Sequence, residues 1–146
     1  MCAGGDGRWM GETMGLPAVH RSPPVVAVVD DEEDVRLALH RLLRSAGFEV
    51  LVYGSGGEFL RHAASSAPDC VVLDLHMRGH SGFNVQQTLA EAKLAIPLVV
   101  LTGNDTGANR MQALANGADA YLIKPIDDEM LINAIVSAIR AREARV

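Results

Sequence analysis

From Val25 onward, short apolar runs alternate with segments of helical period. The runs are Val25–Val29 (VVAVV), Cys70–Leu73 (CVVL), Pro97–Leu101 (PLVVL) and Ala120–Ile123 (AYLI), with a weaker one at Glu49–Tyr53 (EVLVY). Near-continuous β-branched residues predict strands covered on both faces, as in a parallel sheet. Between them, Val35, Leu39, Leu42 and Ala46 recur on one face of a first helix, which stops at Gly47 as a helix C-terminus requires. A second helix over Glu58–Ser66 follows Ser55 in a Ser-x-x-Glu capping box. Val85, Leu89 and Ala92 mark a third, Met111 and Leu114 a fourth ending near Gly117, and Leu131, Ile135 and Ile139 a fifth. Five βα units in roughly 120 residues are too few for an eight-stranded barrel. The prediction is an α/β fold: an open, doubly wound five-stranded parallel sheet with helices on both faces.

Residues 1–23 break this pattern. They are Gly-rich, carry a lone Trp9 and end in Arg-Ser-Pro-Pro, a composition that buries little. They are expected to form a disordered leader before a single domain over 24–146. With no apolar core they are neither a secretory signal nor a transit peptide. The chain has 146 residues, 49% hydrophobic, which is one domain's worth. Its 13 Lys+Arg against 18 Asp+Glu give a net charge of -5, which disfavours direct nucleic-acid binding and a polybasic membrane anchor. The longest charge-free stretch is the twelve residues from Gly79 to Ala90, too short to span a membrane. Cys2 and Cys70 make no disulfide framework, so a cytoplasmic, reduced protein is expected, with Cys70 a core residue.

Ligands of open parallel sheets bind outside the carboxyl ends of the strands. There the first run delivers Asp30 and Asp31, the third strand Asp74, the fourth Thr102 and the fifth Lys124. Three carboxylates and one ammonium leave a charge that a single Mg2+ would cancel, and carboxylate oxygens with room for water suit that ion. Such a cluster is built to hold a phosphoryl group, whose transfer depends on positioning and on neutralising its oxygens. The GSGG stretch at 54–57 lacks a P-loop lysine and reads as a loop into a helix. A carboxylate can itself be the nucleophile, and Asp74, alone on its strand end, is the best candidate. Of the adjacent Asp30 and Asp31, one would hold the metal directly and the other through water.

These residues resemble the receiver domain of bacterial two-component response regulators over nearly all of 25–140. The resemblance is carried by VVDDE at 28–32, LDLHMRGHSG at 73–82, LTG at 101–103 and GADAYLIKP at 117–125. The spacings agree: 43 from Asp31 to Asp74, 28 on to Thr102 and 22 on to Lys124. The stretch DDEEDVRLALHRLLRSAGFEV is also similar to receivers that precede LuxR-type output domains. The resemblance implies a flavodoxin-like (βα)5 fold with strand order 2-1-3-4-5 and a phosphorelay switch rather than an enzyme. Asp74 would be phosphorylated by a sensor histidine kinase, a phosphotransfer protein or a small phosphodonor. Mg2+ would be held by Asp31, Asp74 and the backbone carbonyl of His76, with Asp30 acting through water. Lys124, in a cis Lys124–Pro125 bond, would pair with a phosphoryl oxygen. Thr102 would move its hydroxyl onto that group and Tyr121 would turn inward, altering the face formed by the fourth helix, fifth strand and fifth helix, through which the protein would bind partners or form a homodimer.

The chain departs from the family at Arg78, where most members have Pro. Arg78 is either an added contact to an anionic partner or phosphate, or a solvated loop arginine. His76 and Asn104 stand where the family tunes access of water to the phosphoryl group, so His76 is expected to set phosphate lifetime. His76 and His80 alone make poor evidence for zinc. Arg140, Arg142 and Arg145 complement the last helix dipole and are expected to bind nothing. A haloacid-dehalogenase-type phosphohydrolase also uses a strand-end Asp but wants Asp-x-Asp, and His76 stands at that second position. A degenerate interaction module is disfavoured because all five key positions are intact. After the fifth helix too few residues remain for a helix-turn-helix output domain, which needs about 50 more. The sequence therefore reads as a stand-alone receiver or as part of a longer chain.

Overall fold

The apolar runs form five parallel strands: β1 (Val25–Val29), β2 (Glu49–Tyr53), β3 (Cys70–Leu73), β4 (Leu98–Thr102) and β5 (Ala120–Ile123). In space their order is β2-β1-β3-β4-β5, as the resemblance implied. The computed structural model describes residues 22–79 and 81–144. Apart from Ser22 and Pro23, the expected leader lies outside the described residues, as do His80 and Arg145. Strand ends are kept level by register, with Val29 opposite both Tyr53 and Leu73, and Thr102 opposite Ile123. Two aspartates pin the opposite edge. Asp69 Oδ2 accepts from Val25 N–H at 2.8 Å and Asp119 Oδ2 from Leu98 N–H at 2.9 Å, each closing the start of the neighbouring strand.

Five helices follow the strands in turn: α1 (Glu33–Ser45), α2 (Gly56–Ser66), α3 (Gly82–Glu91), α4 (Gly107–Ala115) and α5 (Asp128–Ala144). Because alternate strand residues face opposite ways, the sheet separates two apolar layers. Ala27, Val29, Val71, Leu73 and Val100 pack with Phe59 and Ala63 of α2, Val85 and Leu89 of α3 and Ala113 of α4. Val26, Val28, Cys70, Val72, Val99 and Leu101 pack with Leu39 and Leu43 of α1 and Leu131, Ile135 and Ile139 of α5. Each large side chain fully buried here, such as Phe59 or Ile135, contributes about 1.5–3 kcal/mol.

Helix ends follow local chemistry. Gly47 and Gly117 take the left-handed conformation after α1 and α4, at φ 102° and 101°. Ser55 caps α2 by accepting from Glu58 N–H at 3.1 Å, but the Glu58 carboxylate reaches back to Gly54 N–H rather than to Ser55, so the box is opened by one residue. A closed box stands instead at α3, where Ser81 and Asn84 cap one another.

The third and fourth helices stand where the apolar spacing predicts them, and the structure adds which residues they bury. Met111 is 73% exposed and Leu114 45%, so the buried side of α4 is not theirs; only Ala113 is buried. The helix packs into the core through that small side chain, lays Arg110 over the Tyr121 ring of β5, and leaves its larger apolar residues projecting outward. Ala92 is exposed at the end of α3, whose buried face is Gly82, Val85, Gln86 and Leu89. Arg142, expected to bind nothing, donates to the carbonyl of Ala95 and ties the end of α5 to the loop before β4.

Candidate functional site

The backbone ladder continues one residue past the strands and sets the site's frame. Asp30 N–H donates to Tyr53 O, Asp74 N–H to Val29 O and Lys124 N–H to Thr102 O, so three polar residues are fixed at one sheet edge. The crossover between β1 and β3 opens the crevice in which such sheets bind ligands. One carboxylate oxygen from each of Asp30, Asp31 and Asp74 lies within 4.8 Å of the other two. Lys124 Nζ joins them, 2.9 Å from Asp30 Oδ2 and 3.8 Å from Asp74 Oδ2.

The carboxylates are not equivalent. Asp30 is buried and fully engaged, its Oδ1 accepting from Glu32 N–H at 2.9 Å and its Oδ2 from Lys124. Half-buried Asp31 accepts the main-chain N–H of Arg78 at 3.0 Å. Among the described residues, Asp74, buried at the end of β3, accepts only a long 3.3 Å bond from His76 N–H. Burial raises the Asp74 carboxyl above the ordinary carboxylate range, and the charges of Asp30 and Asp31 add to the rise, against the opposing pull of Lys124 and the His76 N–H. Burial alone would lower the Lys124 ammonium, but Asp30, Asp74 and Glu32 together hold it above its usual value. Three oxygen donors of this hardness fit a Mg2+ ion.

Close packing holds Asp74 in place. A Cβ at Gly82 would stand 2.6 Å from the Asp74 carbonyl oxygen and 2.8 Å from Leu75 Cα, so only glycine lets α3 begin here. The Lys124–Pro125 bond is cis, as the resemblance implied.

Beside the carboxylates lies a second group. Thr102 is fully buried in β4, and its Oγ1 accepts from Asn104 N–H at 3.1 Å rather than touching an acid. His76 Nε2 lies 3.2 Å from Nδ2 of Asn109, which also donates to the Asn104 carbonyl at 3.0 Å. The expected residues His76 and Asn104 are thus joined by one that sequence reasoning missed; a lone Asn in the first turn of α4 carries no motif. Tyr121 is already inward, with its ring beneath the Arg110 guanidinium at 4.7 Å. Burial and the neighbouring Asp105 carboxylate raise its hydroxyl. The Arg78 side chain is 97% exposed and 4.0 Å from Asp31 Oδ2, so what this residue gives the site is its amide. Cys70 is a core residue whose thiol is pushed far up by burial.

Residues 26–136 match the family model of the response regulator receiver domain. The chain belongs to that family. As a receiver domain it is a regulatory module of two-component response regulators rather than a conventional enzyme. It is 36% identical over 114 residues to nodulation protein W of Bradyrhizobium diazoefficiens, covering 78% of this chain and 50% of that one. It is 38% identical over 123 residues to the transcriptional regulatory protein PrrA of Mycobacterium leprae, covering 84% of this chain and 53% of that one. The chain spans about half the length of the curated relatives it matches. Among solved structures, response regulator StyR superposes with a TM-score of 0.77 at 37% identity, over 85% of this receiver and 65% of StyR. FixJ-N does so with a TM-score of 0.77 at 34%, over 82% and 95%. Among the described residues, no helix of the receiver is long and apolar enough to cross a membrane.

Proposed function

We propose that this receiver, spanning 24–146 behind a leader over 1–23, is a phosphorylation switch with Asp74 as acceptor and a sensor histidine kinase or phosphotransfer protein as donor. The observation that carries this reading is the convergence of Asp30, Asp31 and Asp74 with Lys124 at the carboxyl edge of the sheet. A carboxylate oxygen of Asp74 attacks the phosphorus of a phosphohistidine, the N–P bond breaks, and the departing imidazole keeps the pair and takes a proton. A small phosphodonor such as acetyl phosphate reacts likewise, with the O–P bond breaking.

Asp31, Asp74 and the main-chain carbonyl of His76 would hold Mg2+ directly and Asp30 through water. The full engagement of both Asp30 oxygens supports that division. Bound there, the ion neutralises charge building on the phosphoryl oxygens. Lys124, already near Asp74, pairs with one of those oxygens. The Thr102 hydroxyl gives up Asn104 N–H to take another, and Tyr121 packs behind it. His76 and Asn104 govern how long the phosphoryl group survives water.

The added charge changes the α4–β5–α5 face, which binds partners or a second copy of this chain. The exposed Met111, Leu114, Ile123 and Met130 on those elements support this choice of face. The work is done in the cytoplasm and without direct contact to nucleic acid or membrane.

The test is intact mass after incubation with acetyl phosphate or phosphoramidate, with and without Mg2+, beside Asp74→Asn. A Mg2+-dependent gain of one phosphoryl group, absent in the variant, is expected. A gain that persists in Asp74→Asn sinks the assignment of the acceptor.

A further inference from the structure

The Asn109 side chain bridges two loops that converge on Asp74. Its Nδ2 lies 3.0 Å from the Asn104 carbonyl oxygen, which can only accept, so that atom is the amide nitrogen and not the oxygen. The same nitrogen lies 3.2 Å from His76 Nε2. An NH2 group has two hydrogens and satisfies both partners at once. In that bond Nε2 is the acceptor. Asn109 is itself held, since its N–H donates to Thr106 Oγ1 at 3.0 Å in the cap of α4. The Asn104 N–H in turn donates to Thr102 Oγ1. A continuous chain runs from the hydroxyl in β4, through Asn104 and Asn109, to the imidazole two residues beyond Asp74.

We infer that Asn109 is a positioning residue that clasps His76 and thereby lengthens the life of the phosphoryl group on Asp74, an inference that rests on the proposed function. In hydrolysis, water adds to phosphorus, the P–O bond to Asp74 breaks with its pair returning to the carboxylate, and the water's proton must go to a base. With its Nε2 held by Asn109, the His76 ring is fixed against the first turn of α4 and is not free to turn over the acceptor loop and order the attacking water there. Loss of the amide frees that rotation.

The experiment measures decay of phosphorylated protein, loaded with acetyl phosphate and Mg2+, in the full chain and in Asn109→Ala, His76→Ala and the double variant. Asn109→Ala is expected to decay about two- to tenfold faster, the span of one net hydrogen bond, with no further change when His76 is already alanine. Equal decay in Asn109→Ala and the parent overturns the inference, as does the same acceleration in the His76→Ala background. Imidazole 15N shifts, which need no phosphorylation, give the second readout. In Asn109→Ala the Nε2 resonance of His76 is expected to move, and an unmoved resonance overturns the clasp. If the parent takes up no phosphoryl group, the proposed function fails, and the 15N shift alone still decides whether Asn109 holds the ring.

Discussion

Lys124 is bonded to Asp30, not to Asp74: its Nζ lies 2.9 Å from the first and 3.8 Å from the second. The Asp30 side chain is 3% exposed and that of Lys124 is 21% exposed. Removing the ammonium strands a buried carboxylate. Lys124→Met is expected to cost about 1–3 kcal/mol at neutral pH, less than for a fully buried pair because the lysine keeps some water. Adding Asp30→Asn should restore part of the loss, since a neutral amide needs no counter-charge. Urea unfolding of the parent and the two variants checks this, and a Lys124→Met chain as stable as the parent contradicts it.

The raised Asp74 carboxyl makes stability depend on pH in a stated direction. Between the ordinary carboxylate value and the raised one, the folded protein keeps a proton that the unfolded chain has lost. Stability in that window falls as pH rises. Asp74→Asn has no such proton, so it should gain on the parent as pH climbs through the window and hold a constant lead above it. Melting temperatures from acid to neutral pH, taken in chelator, measure the difference; parallel curves would refute it.

Arg78 offers Asp31 a main-chain N–H that most family members, with Pro there, do not have. Its exposed guanidinium at 4.0 Å is screened by water. Arg78→Ala should therefore leave Mg2+ affinity within about twofold, whereas Arg78→Pro, which deletes the donor that orients Asp31, should weaken it about two- to tenfold. Titration calorimetry on both variants separates side chain from backbone. A large loss in the alanine variant would show that the guanidinium matters after all.

Ala67 closes α2 at φ 42° and ψ 60°, a left-handed conformation that a Cβ makes costly. It is exposed, so glycine loses no buried contact there. Ala67→Gly is expected to stabilise by about 0.5–1 kcal/mol, the relief of strain less the extra freedom of the unfolded chain. A higher urea midpoint at unchanged slope is the sign to look for.

The sheet was legible because a strand buried on both faces writes itself as a run of valines and leucines, and if the strands are parallel the residues just past each run must share one edge. That rule alone brings Asp30, Asp31, Asp74 and Lys124 together, as found. Helix α4 was legible as a helix, but its buried side was not. Met111 and Leu114 have helical spacing, but spacing does not say which side faces the sheet, and one alanine decides it. The Ser81–Asn84 box was missed because Asn takes the place of the usual Glu or Gln. Asn109 was out of reach altogether, since its partners His76 and Asn104 come from two other loops and only the fold assembles them.

The helices on either side of this assembly differ in how they are held. Gly82 seats α3 so closely on the Asp74 carbonyl that the two cannot shift independently, and Val85, Gln86 and Leu89 extend the grip along the helix. Helix α4 is held by Ala113, which also receives the Gln86 side-chain N–H on its carbonyl, by Arg110 over the Tyr121 ring and by the Asn109 bridge at its first turn. In a machinist's terms, α3 is the stator, bolted to the point where force is generated, and α4 is the rotor, carried on a narrow bearing. If Asp74 is phosphorylated as proposed, the closer seat of α3 favours displacement on the α4 side.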